Sequence, residues 1–394
     1  MIKLLICDGD GTLGLPNPSS DIRTLIEVLD EFDIKIAVAT NNTKARIIEA
    51  FHKADIDIPD IIVTKTLVGG KPKPAPEYID KIEELSGIDR NEMILIGDDG
   101  ITDIMCAINS GVLPFSTYYS ISQKNEAELG YGIPINTPEE LIDWIVTFGR
   151  QDSPYFGWTY NKECSDTGTR IDIRALIGTR EEEVNKLLIK VLKNNQRILY
   201  GSKQVNLQYL LFMYLLSQCY LSNLTSDVDL ITVYPGHIKG KSNKLLERFS
   251  VYMSQLFKDR YIKDLIVRHK SAPQSSLQGD KRDVLDQFNT IFINPSYEDK
   301  IKGKTILVLD DFTTAGYSLE CARRMLINAG ASHVIGIAIA KFRAKHSATI
   351  IGKSWNSFKP SSFRDAHISE DDKRGDFHKQ ADDYFHNEIL GYYK

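Results

Sequence analysis

Five aspartates stand where short apolar runs stop: Asp8 and Asp10 after Ile2 to Cys7, and Asp98, Asp99 and Asp103 after Met93 to Ile96. Carboxylates gathered at one edge repel, by about 4 kcal/mol for two charges ~4 Å apart at an effective dielectric of ~20. Such a group calls for a counter-charge, and an all-oxygen donor set suits Mg²⁺, with water or a substrate phosphate completing its shell. Lys71, in Gly69-Gly70-Lys71-Pro72-Lys73-Pro74-Ala75-Pro76, adds a cation on a proline-stiffened loop, and Lys73 begins a second Lys-Pro-x-Pro. A second acid pair, Asp310 and Asp311, closes the run Lys304 to Leu309 and leads into Thr313-Thr314-Ala315-Gly316-Tyr317-Ser318. Hydroxyls and backbone N–H groups entering a helix form an anion nest, and the two acids are placed to accept hydrogen bonds from sugar hydroxyls.

The elements that must carry these groups are legible as alternating strands and helices. Apolar runs at Ile34 to Ala39, Ile61 to Val63, Met93 to Ile96 and Val112 to Phe115 alternate with amphipathic stretches at Asp21 to Glu31 and Thr43 to Ala54. That alternation predicts a parallel sheet with helices on both faces, whose ligands bind at the carboxyl ends of the strands. Beyond residue 183 the same grammar returns, with strands expected at Val228 to Tyr234, Tyr261 to Val267, Thr305 to Leu309 and His333 to Ala340. Helices are expected at Glu182 to Leu192, Val205 to Leu221 and Leu319 to Ala329. With 394 residues, the chain divides into 1–148, a linker or hood at 149–182 whose aromatics favour packing, a second domain at 183–345, and a polar tail at 346–394. The fold class is α/β, two Rossmann-like parallel-sheet domains, with the aromatic residues of the tail expected to dock partly on a domain.

Composition narrows the setting. A net charge of −5 argues against indiscriminate nucleic-acid binding. Five cysteines without a Cys-x-x-Cys pair indicate neither a zinc ribbon nor a disulfide framework, and point to reduced thiols and a cytoplasmic location. The N-terminus lacks a signal-peptide pattern. Leu207 to Leu221 is too short to span a bilayer and reads as a core helix.

Taken together, Asp8-Gly-Asp10-Gly-Thr12, Thr40, Lys71-Pro-x-Pro and Gly97-Asp98 with Asp103 appear in the order of the four motifs of the haloacid dehalogenase superfamily of phosphohydrolases, which residues 1–148 resemble. The resemblance implies Asp8 as the nucleophile that forms an aspartyl-phosphate and Asp10 as its acid and base. It further implies that Thr40, Asn41 and Lys71 hold phosphate, and that Asp8, Asp10, Asp98 and Asp103 form the Mg²⁺ site. Lys71 is preferred over Lys73 because the longer Lys-Pro-Lys-Pro-Ala-Pro pattern fits better; Asp99 is either a supporting ligand or solvated. Intervals of about thirty residues between motifs leave room for a helix and strand but no inserted cap, so an open site is expected.

The segment Asp310 to Ser318 resembles the phosphoribosyl pyrophosphate (PRPP) motif of type I phosphoribosyltransferases. That likeness implies that Asp310 and Asp311 bind the ribose hydroxyls while Thr313, Thr314, Ala315, Gly316 and Ser318 wrap the 5′-phosphate. Thr232 to Lys241 resembles a pyrophosphate loop, and the basic stretch from Arg268 to Phe288 is similar to the flexible loop of ComF-type relatives, whose zinc ribbon this chain lacks. Lys239, Arg268, Lys270 and Arg282 are the basic candidates for the leaving group.

These readings lead to a bifunctional enzyme of nucleotide metabolism, acting on small-molecule phosphate esters and on PRPP with a nucleobase-like acceptor. Two alternatives stay open: a phosphatase regulated by a non-catalytic PRPP or nucleotide sensor, and a phosphatase that processes nucleic-acid ends.

Overall fold

The computed structural model describes residues 1–9, 11–120, 131–164, 168–178, 188, 196–201, 203–257, 260–273, 283–389 and 391. Asp10, Arg282 and the helix expected from Glu182, apart from Leu188, lie outside them.

The first sheet has six strands, β1 Leu4–Cys7, β2 Lys35–Thr40, β3 Ile61–Thr64, β4 Met93–Gly97, β5 Leu113–Thr117 and β6 Ile133–Ile135. They lie in the order β3-β2-β1-β4-β5-β6 and every pairing is parallel. All four residues of β1 are buried, as a central strand covered on both faces requires. The chain leaves β1 in one direction for β2 and β3 and returns for β4, so Asp8 and Asp98 flank the point where the order reverses, the place where open sheets of this kind take ligands. Helix starts follow the sequence closely. Ser19 caps Ser20–Glu31, its hydroxyl accepting from the Ile22 amide, and Thr43 caps Lys44–Ala54 in the same way through Arg46. Each helix turns a stripe at helical spacing into the core: Ile22, Leu25 and Leu29 in the first, Ile47, Phe51 and Ala54 in the second.

The remaining strands are β7 Trp158–Glu163, β8 Arg170–Ile177, β9 Arg197–Tyr200, β10 Lys203–Asn206, β11 Leu230–Val233, β12 Arg260–Tyr261, β13 Ile266–Arg268, β14 Ile291–Ile293, β15 Thr305–Thr313, β16 His333–Lys341, β17 Lys345–Ile351, β18 Ile368–Arg374 and β19 Asp376–Phe377. Seven of them form a second sheet in the order β12-β11-β15-β16-β8-β7-β19. It is parallel from β12 to β8, with β7 and β19 added antiparallel at one edge.

Three expectations change. The stretch 149–182 is not merely a linker or hood, because β7 and β8 within it are strands of the second sheet, and Trp158 and Tyr160 point into its core. The tail beyond 345 is more ordered than a partly docked segment: β17 and β18 make a hairpin, β19 completes the sheet edge, and Asp382 accepts from the Gly178 amide at 2.8 Å. The single strand expected at Tyr261 to Val267 is two, since exposed Lys263 and Asp264 turn the chain and β13 pairs with β14 instead.

Between the sheets lies the helix Leu207–Leu221, buried at every residue from Leu210 to Leu221. A helix that is apolar all round must be enclosed, and one continuous apolar cluster runs from Leu5 and Ile94 through Leu211 and Leu216 to Leu307 and Ile337. Its C-terminal end meets the start of β4, where the Tyr220 hydroxyl donates to the Met93 carbonyl at 2.6 Å and the Asn91 amide donates to the Leu221 carbonyl at 2.7 Å. The next residues, Ser222 to Leu224, border a polar cavity of about 380 Å³ together with Asp172 and His333, at the starts of β8 and β16. One end of this helix therefore meets the start of β4 and, through the cavity, the starts of β8 and β16. Among the described residues no helix is long and apolar enough to cross a membrane, and all five cysteines are buried and none is in a disulfide.

Candidate active site

Asp8 follows β1 directly, and Asp98 follows β4, its neighbour in the sheet. A turn later the chain brings Asp103 back over the end of β4, and one carboxylate oxygen from each of Asp8, Asp98 and Asp103 lies within 4.8 Å of the others. Gly97 makes the approach possible, because a Cβ there would stand 2.3 Å from Cβ of Asp103. Asp99 takes no place in the cluster; its carboxylate caps the following turn, accepting from the amides of Ile101 and Thr102 at 2.8 Å. Cys7 is next to Asp8, but burial holds its thiol protonated, far above the ordinary thiol range, and it is not a competing nucleophile.

The structure brings Lys73, not Lys71, to these acids. Lys73 Nζ reaches Asp8 and Asp103 at 2.5 Å each and the Ala39 carbonyl at 2.9 Å, which uses all three ammonium protons. Lys71 stands on the surface and pairs with Glu77. Asn41 decides between them: its side-chain oxygen accepts from the Lys73 amide at 2.9 Å and from the Tyr78 hydroxyl at 2.8 Å, fixing the loop so that Lys73 turns inward. Asn41, expected at the phosphate, thus spends its oxygen on the lysine loop. Thr40 is fully buried at the end of β2, and its hydroxyl oxygen accepts from the Asn42 amide.

Burial alone would lower the Lys73 ammonium, yet Asp103 and Asp8 outweigh it and the group is held charged, above the usual lysine range. Asp103 is pushed up to about 6, first by burial and then by the charge of Asp8, with Lys73 opposing. Asp98 is raised as well, by burial and by Asp8. Three acids against one lysine leave the cluster short of positive charge, and an all-oxygen set of this kind fits a hard divalent cation.

The second cluster stands at the carboxyl end of β15. The strand runs on to Thr313, four residues beyond its expected end, so the loop proper is Thr314 to Gly316 and the helix is Tyr317–Asn328. Asp310 is buried, accepts from the Asp311 amide at 2.9 Å, and is driven far above the carboxylate range by burial and by Asp311. The Asn243 side chain donates to Asp311 at 3.3 Å. Gly316 has φ 88° and packs on a histidine, where a Cβ would stand 2.2 Å from Nδ1 of His346.

The basic candidates separate. Lys239 and Lys270 are exposed, on two loops joined by the Ala272 amide to the His237 carbonyl at 2.8 Å and the Lys239 amide to Ser271 at 3.0 Å. Arg268 is built into the fold. Its guanidinium donates to Thr290 at 2.5 Å and Gln287 at 3.1 Å and lies over the Tyr234 ring, so it is not a basic group of a flexible loop. Lys341, which the sequence reading passed over, is buried behind the loop; a lone lysine closing the apolar run of β16 was its only signal.

Residues 13–115 match the family model described as haloacid dehalogenase-like hydrolase, so this stretch is a hydrolase domain of that superfamily. No curated protein matches the chain. Among solved structures, it is similar to an uncharacterized protein from Listeria monocytogenes serotype 4b, with 19% identity and a TM-score of 0.30, covering 36% of this chain and 97% of that one. It is also similar to a HAD phosphatase from Thermococcus onnurineus (20% identity, TM-score 0.27, 32% of this chain) and to a protein described as a phosphoglycolate phosphatase from Lactobacillus delbrueckii subsp. bulgaricus (23%, 0.29, 33%). The chain spans 56% and 54% of the lengths of these two.

Proposed function

We propose that the chain hydrolyses small phosphomonoesters through an aspartyl-phosphate on Asp8, and that its second sheet carries a PRPP site that serves a phosphoribosyl transfer. The observation that carries the first half is the Asp8, Asp98, Asp103 cluster bridged by Lys73 at a topological switch point. A carboxylate oxygen of Asp8 attacks phosphorus as the bond to the leaving oxygen breaks, and Asp10 gives that oxygen a proton. Water, losing its proton to Asp10, then attacks the same phosphorus, the bond to Asp8 breaks, and inorganic phosphate leaves. Lys73 offsets the charge of the entering phosphate, and the Thr40 hydroxyl would donate to it. Asp8, Asp98 and Asp103 would hold Mg²⁺, which supplies charge neutralisation for the phosphoryl oxygens. In the presence of excess EDTA, release of phosphate from p-nitrophenyl phosphate and from nucleoside monophosphates is expected to fall at least ~100-fold and to return with Mg²⁺; turnover indifferent to both would refute the metal assignment.

The second half is supported by the acid pair, the hydroxyl loop and the long helix that follows it. Asp310 and Asp311 would accept from ribose hydroxyls, and the amides of the loop would hold the 5′-phosphate. Pyrophosphate release from PRPP with a panel of nucleobases is expected for the wild type and to be lost, at least ~100-fold, in the Asp310→Asn/Asp311→Asn variant. Retained PRPP binding without turnover would move this site to a sensing role, and absence of binding would end the reading.

A further inference from the structure

The loop Thr314 to Gly316 is held from behind. The Lys341 ammonium, fully buried at the end of β16, donates to the Thr314 carbonyl and, at 2.6 Å, to the Lys345 carbonyl. The Ser347 amide, on β17, donates to the Ala315 carbonyl at 2.8 Å. In a planar trans peptide the carbonyl points opposite to the N–H of the next residue. Pinning the Thr314 carbonyl rearward therefore turns the Ala315 amide forward, and pinning the Ala315 carbonyl turns the Gly316 amide the same way. Behind Gly316 the buried His346 ring closes off the rear, its Nδ1 without a hydrogen-bond partner among the described residues. Two consecutive amides thus face the side on which the helix Tyr317–Asn328 presents its own N-terminus, with a lysine charge one residue behind them.

We propose that Lys341 is the positioning residue that preforms this loop as a phosphate cradle, by fixing the Thr314 carbonyl and placing a cation beneath the amides. The proposal rests on the sugar-phosphate reading of the loop given above, and assigns its geometry to a side chain outside the acid and hydroxyl motif. Lys341 stacks its ammonium 4.8 Å from the Trp158 ring centre, so β7, from the stretch expected as a linker, holds the lysine in place. Burial, with Arg343 adding, lowers its pKa to about 7, and an anion bound in front of it would favour the charged form.

The test is amide hydrogen exchange of the full chain, read on the peptide covering 313–319 during titration with ribose 5-phosphate and, separately, with inorganic phosphate. Reading that peptide keeps binding at Asp8 out of the result. In the wild type both ligands should slow exchange there. Lys341→Met should raise the half-saturating concentration of both at least ~10-fold, and Lys341→Gln, which keeps a donor, should raise it less. Asp310→Asn should weaken ribose 5-phosphate while sparing inorganic phosphate, which separates loss of the cradle from general damage to the site. Protection by neither ligand in the wild type overturns the sugar-phosphate reading and the proposal with it. Protection in the wild type that Lys341→Met leaves within twofold overturns the proposal alone. If Lys341→Met melts well below the wild type, Lys341→Gln decides, and unchanged affinity in that variant counts against the role.

Discussion

Asp8→Asn is expected to lower phosphate release from any substrate of the first site by at least ~10⁴-fold while the protein stays folded. The amide is nearly isosteric with the carboxylate but is a poor nucleophile and cannot form the acyl-phosphate, so the change removes the covalent step. Steady-state release of phosphate, with circular dichroism and thermal unfolding on the same preparation, measures both parts. An Asp8→Asn protein with activity within tenfold of wild type would exclude aspartyl-phosphate formation at this residue. Loss of activity together with loss of the melting transition would instead report damage to the fold, in which case Asp8→Glu, which keeps the charge that faces Lys73 but displaces the oxygens, serves as the second probe and should also be inactive.

Lys73→Met should cost ~10²-fold to ~10³-fold in kcat/KM, and Lys71→Met less than about twofold. The contrast follows from where the two ammonium groups stand. Lys73 is 3% exposed between Asp8 and Asp103, whereas Lys71 is 61% exposed beside Glu77. Exposed pairs contribute about 0–1 kcal/mol, but removing one partner from a buried pair costs about 3–5 kcal/mol, because the remaining charges lose their compensation. With Lys73 gone, Asp8 and Asp103 face each other without the ammonium between them, and an entering phosphate meets their uncompensated charge. Kinetics of both variants at saturating Mg²⁺ check the ranking, and a larger loss in Lys71→Met would return the phosphate-binding role to the exposed lysine.

Much of the first site was readable because its information is local. Apolar runs that end in acids mark both the strands and what they deliver, so Asp8, Asp98 and Asp103 can be assigned to their elements from the sequence. The choice between Lys71 and Lys73 was not local. The two share a motif two residues apart, and what separates them is the Asn41 side chain, 32 residues away in sequence, catching the Lys73 amide. Arg268 shows the same limit beside the second sheet: a basic residue in a basic stretch reads as exposed, and only Thr290 and Gln287, brought across by β14 and the short helix Leu285–Phe288 before it, make it internal. The stretch 149–182 reads as a linker for another reason. Flanking Gly, Pro and Asp residues obscure the two-residue alternation of Trp158 and Tyr160, and the partners of β7 both follow it, β8 at close range and β19 more than two hundred residues on. The tail reads as a partly docked segment because polar β18 is stabilised by pairing with β17 rather than by its own burial pattern.

The helix Leu207–Leu221 has one more consequence. Its side chains belong to one apolar cluster with Leu5 and Ile94 of the first sheet and Leu307 and Ile337 of the second, so the two sheets share a single core through it. A charge or a cavity introduced along it would therefore loosen the packing of both sheets at once.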